Sequence, residues 1–290
     1  MASRRTKVRT VREAEADPVT AEIYSEVKSL LGVPQVNMVF QVFASFPGFL
    51  PLFWKASKPV LATQEFFNLA DRIGAEAYTR VHNYFAVPDL RCKVEEMHFS
   101  HGAQDELRHV VELYHYNNPL LLLLCAALLH GFENPDVVVR PAHEAGPRPE
   151  HPARIILVAE ENAPPATRKI YEDIKRTMDT PFLNTSYFNF GRWPDFLSEY
   201  WNALKPVIGT PVYEQHRRAM RESALSLAPE LPRPVQLSTA ELEEGGVARE
   251  DISTIIQTVD SSLNQLSKQV LNIAYAKIGL EGGVKNRAAA

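Results

Sequence analysis

Apolar residues recur along much of this chain at intervals of three and four. Ile23, Val27, Leu30 and Leu31 form the first such set, a spacing that gathers them on one face of a helix. Asp17-Pro18 just ahead offers a cap and a proline suited to the first helical position, and Pro34 closes the segment. The same reading predicts helices over 36–45, 48–61, 64–84, 101–116 and 119–131. Strand-like alternation is short wherever it occurs, as at Val137-Val138-Val139. An all-α protein is expected.

A second period lies above the helical one. Residues 7–66 laid on 154–213, an offset of 147, give 20 identities in 60 positions without a gap. Shared pairs include Pro34/Pro181, Asn37/Asn184, Phe43/Phe190, Pro47/Pro194, Trp54/Trp201 and Lys58-Pro59-Val60/Lys205-Pro206-Val207. Similar amphipathic helices would match in apolar spacing, but not in prolines, asparagines and tryptophans in register. Beyond residue 66 the likeness weakens, and Val110-Val111 falls on Ile255-Ile256 if the offset slips to 145. The expected architecture is two tandem helical repeats of about 130 residues each, the size of an ordinary domain, packed as a pseudo-twofold dimer. Repeat 1 is 1–133, repeat 2 is 166–290, and between them 134–165 carries seven prolines, too many for a continuous helix. When two copies pack face to face, equivalent surfaces meet at the axis, and a pocket is expected at that seam.

The longest apolar run, Leu120 to Leu129, is half the roughly 20 residues a membrane span needs, so it reads as a buried helix of a soluble protein. Met1 to Lys7 is basic, reads as a frayed end, and lacks the apolar core of a signal peptide. A formal charge of −4 argues against a nucleic-acid partner. Cys92 and Cys125 form neither a CxxC nor a disulfide framework, and a reducing, cytoplasmic setting is expected. Self-association into a homo-oligomer stays open.

Fourteen of the 27 aromatic residues fall in two equivalent segments, Phe40 to Trp54 and Phe182 to Trp201. Most are expected in the core and a minority on a cavity wall. Glu95-x-x-His98 and Glu106-x-x-His109 each resemble half of a di-iron carboxylate site, but repeat 2 has no counterpart, so no metal is expected. Lys93 to Arg108 mixes both signs and reads as a solvated face. Nucleophile elbows, Walker loops and dinucleotide fingerprints are missing.

Gly32 to Pro51, Tyr114 to Leu124 and Asn184 to Pro194 resemble the group I (D,L-) 2-haloacid dehalogenases, a family also labelled halocarboxylic acid dehydrogenase. The resemblance covers nearly the whole chain. It implies an all-helical, cofactor-free hydrolase acting on carbon–halide bonds, with its site between the repeats. In such enzymes an aspartate activates water, which displaces halide from the α-carbon of a small 2-halocarboxylate, and an asparagine helps hold that water.

Transferred to this chain, the asparagine falls on Asn118 and the aspartate on Ser186, with Thr185 before it; Gln35 and Met38 take the places of a tryptophan and a phenylalanine. A hydroxyl cannot serve as the base that a carboxylate, with its reference pKa near ~4, provides. Asp179, Asp195, Glu199 and His115 are nearby in sequence as substitutes, and His115, three residues before Asn118, would share its helix face. Asn118 before Pro119 also reads as a helix cap, and Asn37 and Asn184 carry the same ambiguity. Tyr187 completes the expected substrate contacts, with Arg192 as a carboxylate partner or an exposed helix residue. Two other functions remain open: an isomerase- or cyclase-like protein holding a larger apolar ligand, and a non-catalytic binding module.

Overall fold

The computed structural model describes residues 9–134, 139–180 and 182–285. The basic amino terminus, Val137-Val138 and Pro181 lie outside these residues. Among those described, twelve α-helices and three short 3-10 helices account for the regular structure, and extended pairing is limited to two isolated bridges, Thr63 with Glu144 and Val87 with Val284. The all-α expectation is met. In chain order the helices are α1 (Pro18–Leu31), α2 (Met38–Phe43), α3 (Phe49–Leu61), α4 (Gln64–Tyr84), α5 (Leu90–Glu96) and α6 (His101–Glu133). There follow α7 (Pro165–Met178), α8 (Thr185–Phe190), α9 (Pro194–Leu204), α10 (Pro211–Leu227), α11 (Thr239–Glu244) and α12 (Arg249–Leu280).

The start of α1 follows its sequence. The Asp17 carboxylate accepts from the Val19 and Thr20 backbone N–H groups, satisfying donors a helix leaves open at its first turn. Gly32 ends it in the left-handed region, at φ 65°. A Cβ there would also stand 2.8 Å from the Pro149 carbonyl oxygen, so only glycine lets the proline-rich segment lie against this corner. Its described residues 139–164 form no α-helix. It is tied down by Gln64 N–H to His143 O, Ala145 N–H to Ala62 O, His151 N–H to Gly32 O and Val158 N–H to Phe188 O.

Two long helices make the centre. α6 and α12 pack on each other, and α4 and α10 both lie against the pair. Leu120 through Leu128 on α6 are all buried, which is why that stretch needs no polar face. Each leucine there stabilises the fold by about 1.5–3 kcal/mol relative to exposure. No helix among the described residues is long and apolar enough to cross a membrane.

One expectation fails at the centre. Residues 101–116 and 119–131 were read as separate helices with Asn118 capping the second; α6 instead runs unbroken from His101 to Glu133 with Pro119 inside it. An interior proline removes one helical hydrogen bond and crowds the carbonyl four residues back, at about 3 kcal/mol. α4 packs against this turn at Gly74, where a Cβ would lie at ordinary contact distances, 3.4 Å from Pro119 Cγ and 3.8 Å from His115 O. Burial of the run that follows outweighs the loss. Asn118 is therefore a mid-helix residue, not a cap. α5 was not anticipated.

Contacts recur at the 147-residue offset. The Tyr24 hydroxyl donates to Val11 O at 2.8 Å, and Tyr171 donates to Val158 O at 3.0 Å. The Trp54 indole and Lys58 both donate to Glu26, as Trp201 and Lys205 donate to Asp173. Lys28 meets Glu13 and Lys175 meets Glu160, each at 2.6 Å. α1 and α7 span equivalent residues, as do α2 and α8.

Candidate active site

A cavity of about 60 Å³ lies where α2, the end of α7, Thr180, residues 182–184, α8 and α12 converge. From α2 and its cap come Asn37, Met38, Val39 and Val42; from the second half come Ile174, Met178, Thr180, Phe182, Leu183, Asn184 and Tyr187; α12 adds Ser261, Ser262, Gln265, Leu266 and Gln269. Every polar group on this wall is uncharged at neutral pH. Tyr187 is the one acid among them, and burial pushes its hydroxyl up to about 12 against hydrogen bonds from Asn272, Tyr200 and Gln269 that lower it.

Asn37 and Asn184 stand at the N-termini of α2 and α8. Asn37 Oδ1 accepts from the Val39 N–H and Asn184 Oδ1 from the Ser186 N–H, both at 3.0 Å. Asn184 Oδ1 also accepts the Ser186 hydroxyl at 2.9 Å. Both asparagines thus cap a helix and line the cavity, so the two readings of each residue coexist.

The expected site residues divide. Asn37, Met38, Asn184 and Tyr187 meet at the cavity. Ser186 is fully buried one hydrogen bond behind Asn184 and is not on the wall. Gln35 is half-buried in the turn before α2 and stands off the cavity. His115 is also elsewhere: it lines a groove of about 460 Å³ with Asp71, Tyr78, Glu112 and Lys277. There burial, and then Lys277, hold its imidazole below the ordinary value. The shared face expected of His115 and Asn118 does not bring them to one site, because three helical steps leave about 60° between side chains and the fold separates them at that angle. Asp195 and Glu199 are exposed. Arg192 pairs with Glu106 and lies 4.8 Å from the Trp193 ring centre, away from the cavity.

Beside α8 lies a second polar cluster that spacing did not reveal. Tyr114 and Asn118 sit one turn apart on α6, as do Thr185 and Asn189 on α8, so each pair shares a helix face. The Tyr114 hydroxyl, the Thr185 hydroxyl and both amide atoms of Asn118 and Asn189 are buried without a hydrogen-bond partner. The Asn189 amide is close enough to Tyr114 to act against the burial that raises its hydroxyl. Among the described residues no three His, Cys, Asp or Glu side chains cluster as a metal site requires.

A family model described as halocarboxylic acid dehydrogenase DehI matches residues 34–187, a segment that includes α2, Tyr114, Asn118 and Thr185 of the polar cluster, and the start of α8. The chain belongs to the DehI family. It is 28% identical over 276 residues to an (R)-2-haloacid dehalogenase of Pseudomonas putida, covering 93% of this chain and 92% of the relative. An (R)-2-haloacid dehalogenase of Rhizobium sp. (strain NHG3) is 27% identical over 232 residues, covering 79% of this chain and 90% of the relative. A solved D-2-haloacid dehalogenase in complex with L-LA superposes with a TM-score of 0.89 at 27% identity, covering 95% of this chain and 97% of that one.

Sequence reasoning missed the contribution of α12 to this DehI-family cavity. A trace of it was visible: Gln265, Gln269 and Asn272 place uncharged amides one turn or less apart among apolar residues, an unusual composition for a buried helix face. The aromatic expectation is met in part, since Phe182 and Tyr187 reach the cavity while Phe40, Phe43, Phe49 and Phe53 pack ring to ring in the core.

Proposed function

We propose that the protein takes a small 2-halocarboxylic acid, of either configuration, into the cavity between Asn37 and Asn184, and hydrolyses its carbon–halide bond slowly. The observation that carries this reading is the cavity itself. It is far smaller than the ~300–1,000 Å³ that drug-sized ligands occupy, and it is walled by the caps of two equivalent helices. That size supports a ligand of a few heavy atoms over a larger apolar one. Descent from dehalogenases supports the chemistry, and Ser186 limits its rate: general-base assistance is worth about 10² to 10⁴, and a hydroxyl already donating to Asn184 supplies none. Residues 1–133 and 166–290 are, on this reading, two copies related by a pseudo-twofold axis, joined by 134–165; the contacts recurring at offset 147 support it.

Binding without turnover is the second reading, favoured by the lack of any carboxylate or imidazole on the cavity wall. One experiment separates the two. Halide release from each enantiomer of 2-chloropropionate is measured for the wild type and for Ser186→Asp, with circular dichroism to establish folding. The hydrolase reading expects slow release from the wild type and a rise of about 10²-fold or more in the variant. No release from either folded protein overturns it and leaves binding alone.

A further inference from the structure

A carboxylate enclosed in this cavity has to be held by uncharged groups. Lys268 is the nearby ammonium, and it donates to Met178 O at 2.8 Å without joining the wall. Neutral donors suffice where they are aimed in advance, since a hydrogen bond to a charged acceptor is roughly twice as strong as one between neutral groups. The wall has such donors. Asn37 and Asn184 commit their δ-oxygens to the backbone of α2 and α8, which leaves each NH₂ to serve a ligand. The Oε1 atom of Gln269 is sealed from solvent, so the NH₂ is the polar end that its amide can offer.

Tyr187 is the strongest donor of the set, because a phenol is far more acidic than an amide. Burial keeps its proton in place at neutral pH. The direction of that proton is set behind the wall. Asn272 Nδ2 donates to the Tyr187 oxygen at 3.1 Å, so the hydroxyl must turn its own proton away from Asn272. The Asn272 amide is itself held from both ends. Tyr213 donates to Oδ1 at 2.8 Å, and Nδ2 also lies 3.7 Å from Met178 Sδ, which can only accept. Tyr213 and Asn272 are buried, and neither reaches the cavity.

We propose that the cavity binds a small carboxylate without a cation, and that Tyr213 and Asn272 are positioning residues that turn the Tyr187 hydroxyl proton toward it. This rests on the reading of the cavity as the ligand site and names how that site takes a charge. Tyr213 acts through two successive hydrogen bonds. Without its hydroxyl Asn272 Oδ1 has lost its donor, and the amide gains by rotating to take the Tyr187 proton for itself.

Isobutyrate is the probe, because a methyl group stands where 2-chloropropionate has its halogen and cannot be hydrolysed. Calorimetric titration at pH 7 compares the wild type, Tyr187→Phe, Tyr213→Phe and the double variant, each checked for folding by circular dichroism. Both substitutions remove one oxygen and leave the ring in place. Tyr187→Phe is expected to weaken binding about tenfold, the equivalent of about 1.4 kcal/mol. Tyr213→Phe is expected to weaken it in the same direction, and the double variant to bind no more weakly than Tyr187→Phe alone. A merely structural role for Tyr213 would lower affinity equally in both backgrounds, and that result overturns the proposal. Affinity unchanged in either single variant overturns it too; for Tyr187→Phe the proton would then be spent within the protein, on the Tyr200 oxygen for instance. Binding lost in Lys268→Met also overturns it, with the ammonium as the carboxylate partner. No binding by the wild type removes the cavity reading as well, whereas binding insensitive to Tyr187 leaves that reading standing. Halide release from 2-chloropropionate, measured separately, decides the hydrolase reading.

Discussion

Replacing Asn118 by leucine is expected to make this protein more stable. Asn118 is fully buried in the middle of α6, and neither its Nδ2 nor its Oδ1 has a hydrogen-bond partner. A buried polar group left unpaired costs about 1–3 kcal/mol, so the two atoms together cost about 2–6 kcal/mol. Leucine has nearly the same shape and carries neither group, and its neighbours on α6 are Leu120 to Leu124. Strain from its slightly larger branch offsets about 1–3 kcal/mol. The net gain is then about 1–3 kcal/mol, and at about 2 °C per kcal/mol for a chain of this size, Tm should rise by about 2–6 °C in scanning calorimetry. Asn118→Asp should fall on the other side of the wild type, because it buries a charge in the same apolar setting. A fall in Tm for Asn118→Leu would refute the reasoning: the amide would then be held by partners in the folded protein, and the cluster with Tyr114, Thr185 and Asn189 would be a satisfied network. The same substitution should remove whatever halide release the wild type shows. A gain in stability with a loss of activity is the signature of a polar residue kept for chemistry.

Three further outcomes follow from particular contacts. Asn184→Ala and Asn37→Ala should each lower stability by about 1 kcal/mol through loss of a cap; a much larger effect at one of them in urea denaturation would contradict their equivalence. Burial pushes the Asp173 carboxyl up, but hydrogen bonds from Lys205, Trp201 and Arg176 outweigh it and hold the group at about 2. Because that lies below the unfolded value near ~3.9, its contribution is present above about pH 4 and is lost as pH falls through about 2. Asp173→Asn should therefore cost up to about 2 kcal/mol at pH 7 and approach the wild type near pH 2; an unchanged difference in Tm across that range would refute the assignment. Gly131→Ala would place a Cβ 1.9 Å from the Val235 carbonyl oxygen and should cost about 1–3 kcal/mol or more, visible as a lower midpoint in chemical denaturation; a midpoint equal to the wild type would mean that the 231–237 segment moves aside freely.

The sequence by itself determined the helical class, the cap and stop of α1, and the burial of the Leu120 run, because each depends on residues a few positions apart. It also placed Asn37 and Asn184 in one relation, since an offset of 147 is a property of the string. Only the tertiary structure decided that α6 continues through Pro119, because burying the Leu120 run against α12 and α4 outweighs the hydrogen bond the proline removes. The site followed the same division. The cap asparagines and Tyr187 were legible from the two equivalent segments, whereas Gln269 reaches them from α12, some 80 residues further on. The directions in which Ser186, Asn118 and His115 point were not legible at all. A step of three residues fixes the angle between two side chains on one helix, but what each then meets depends on the neighbouring helices that pack there.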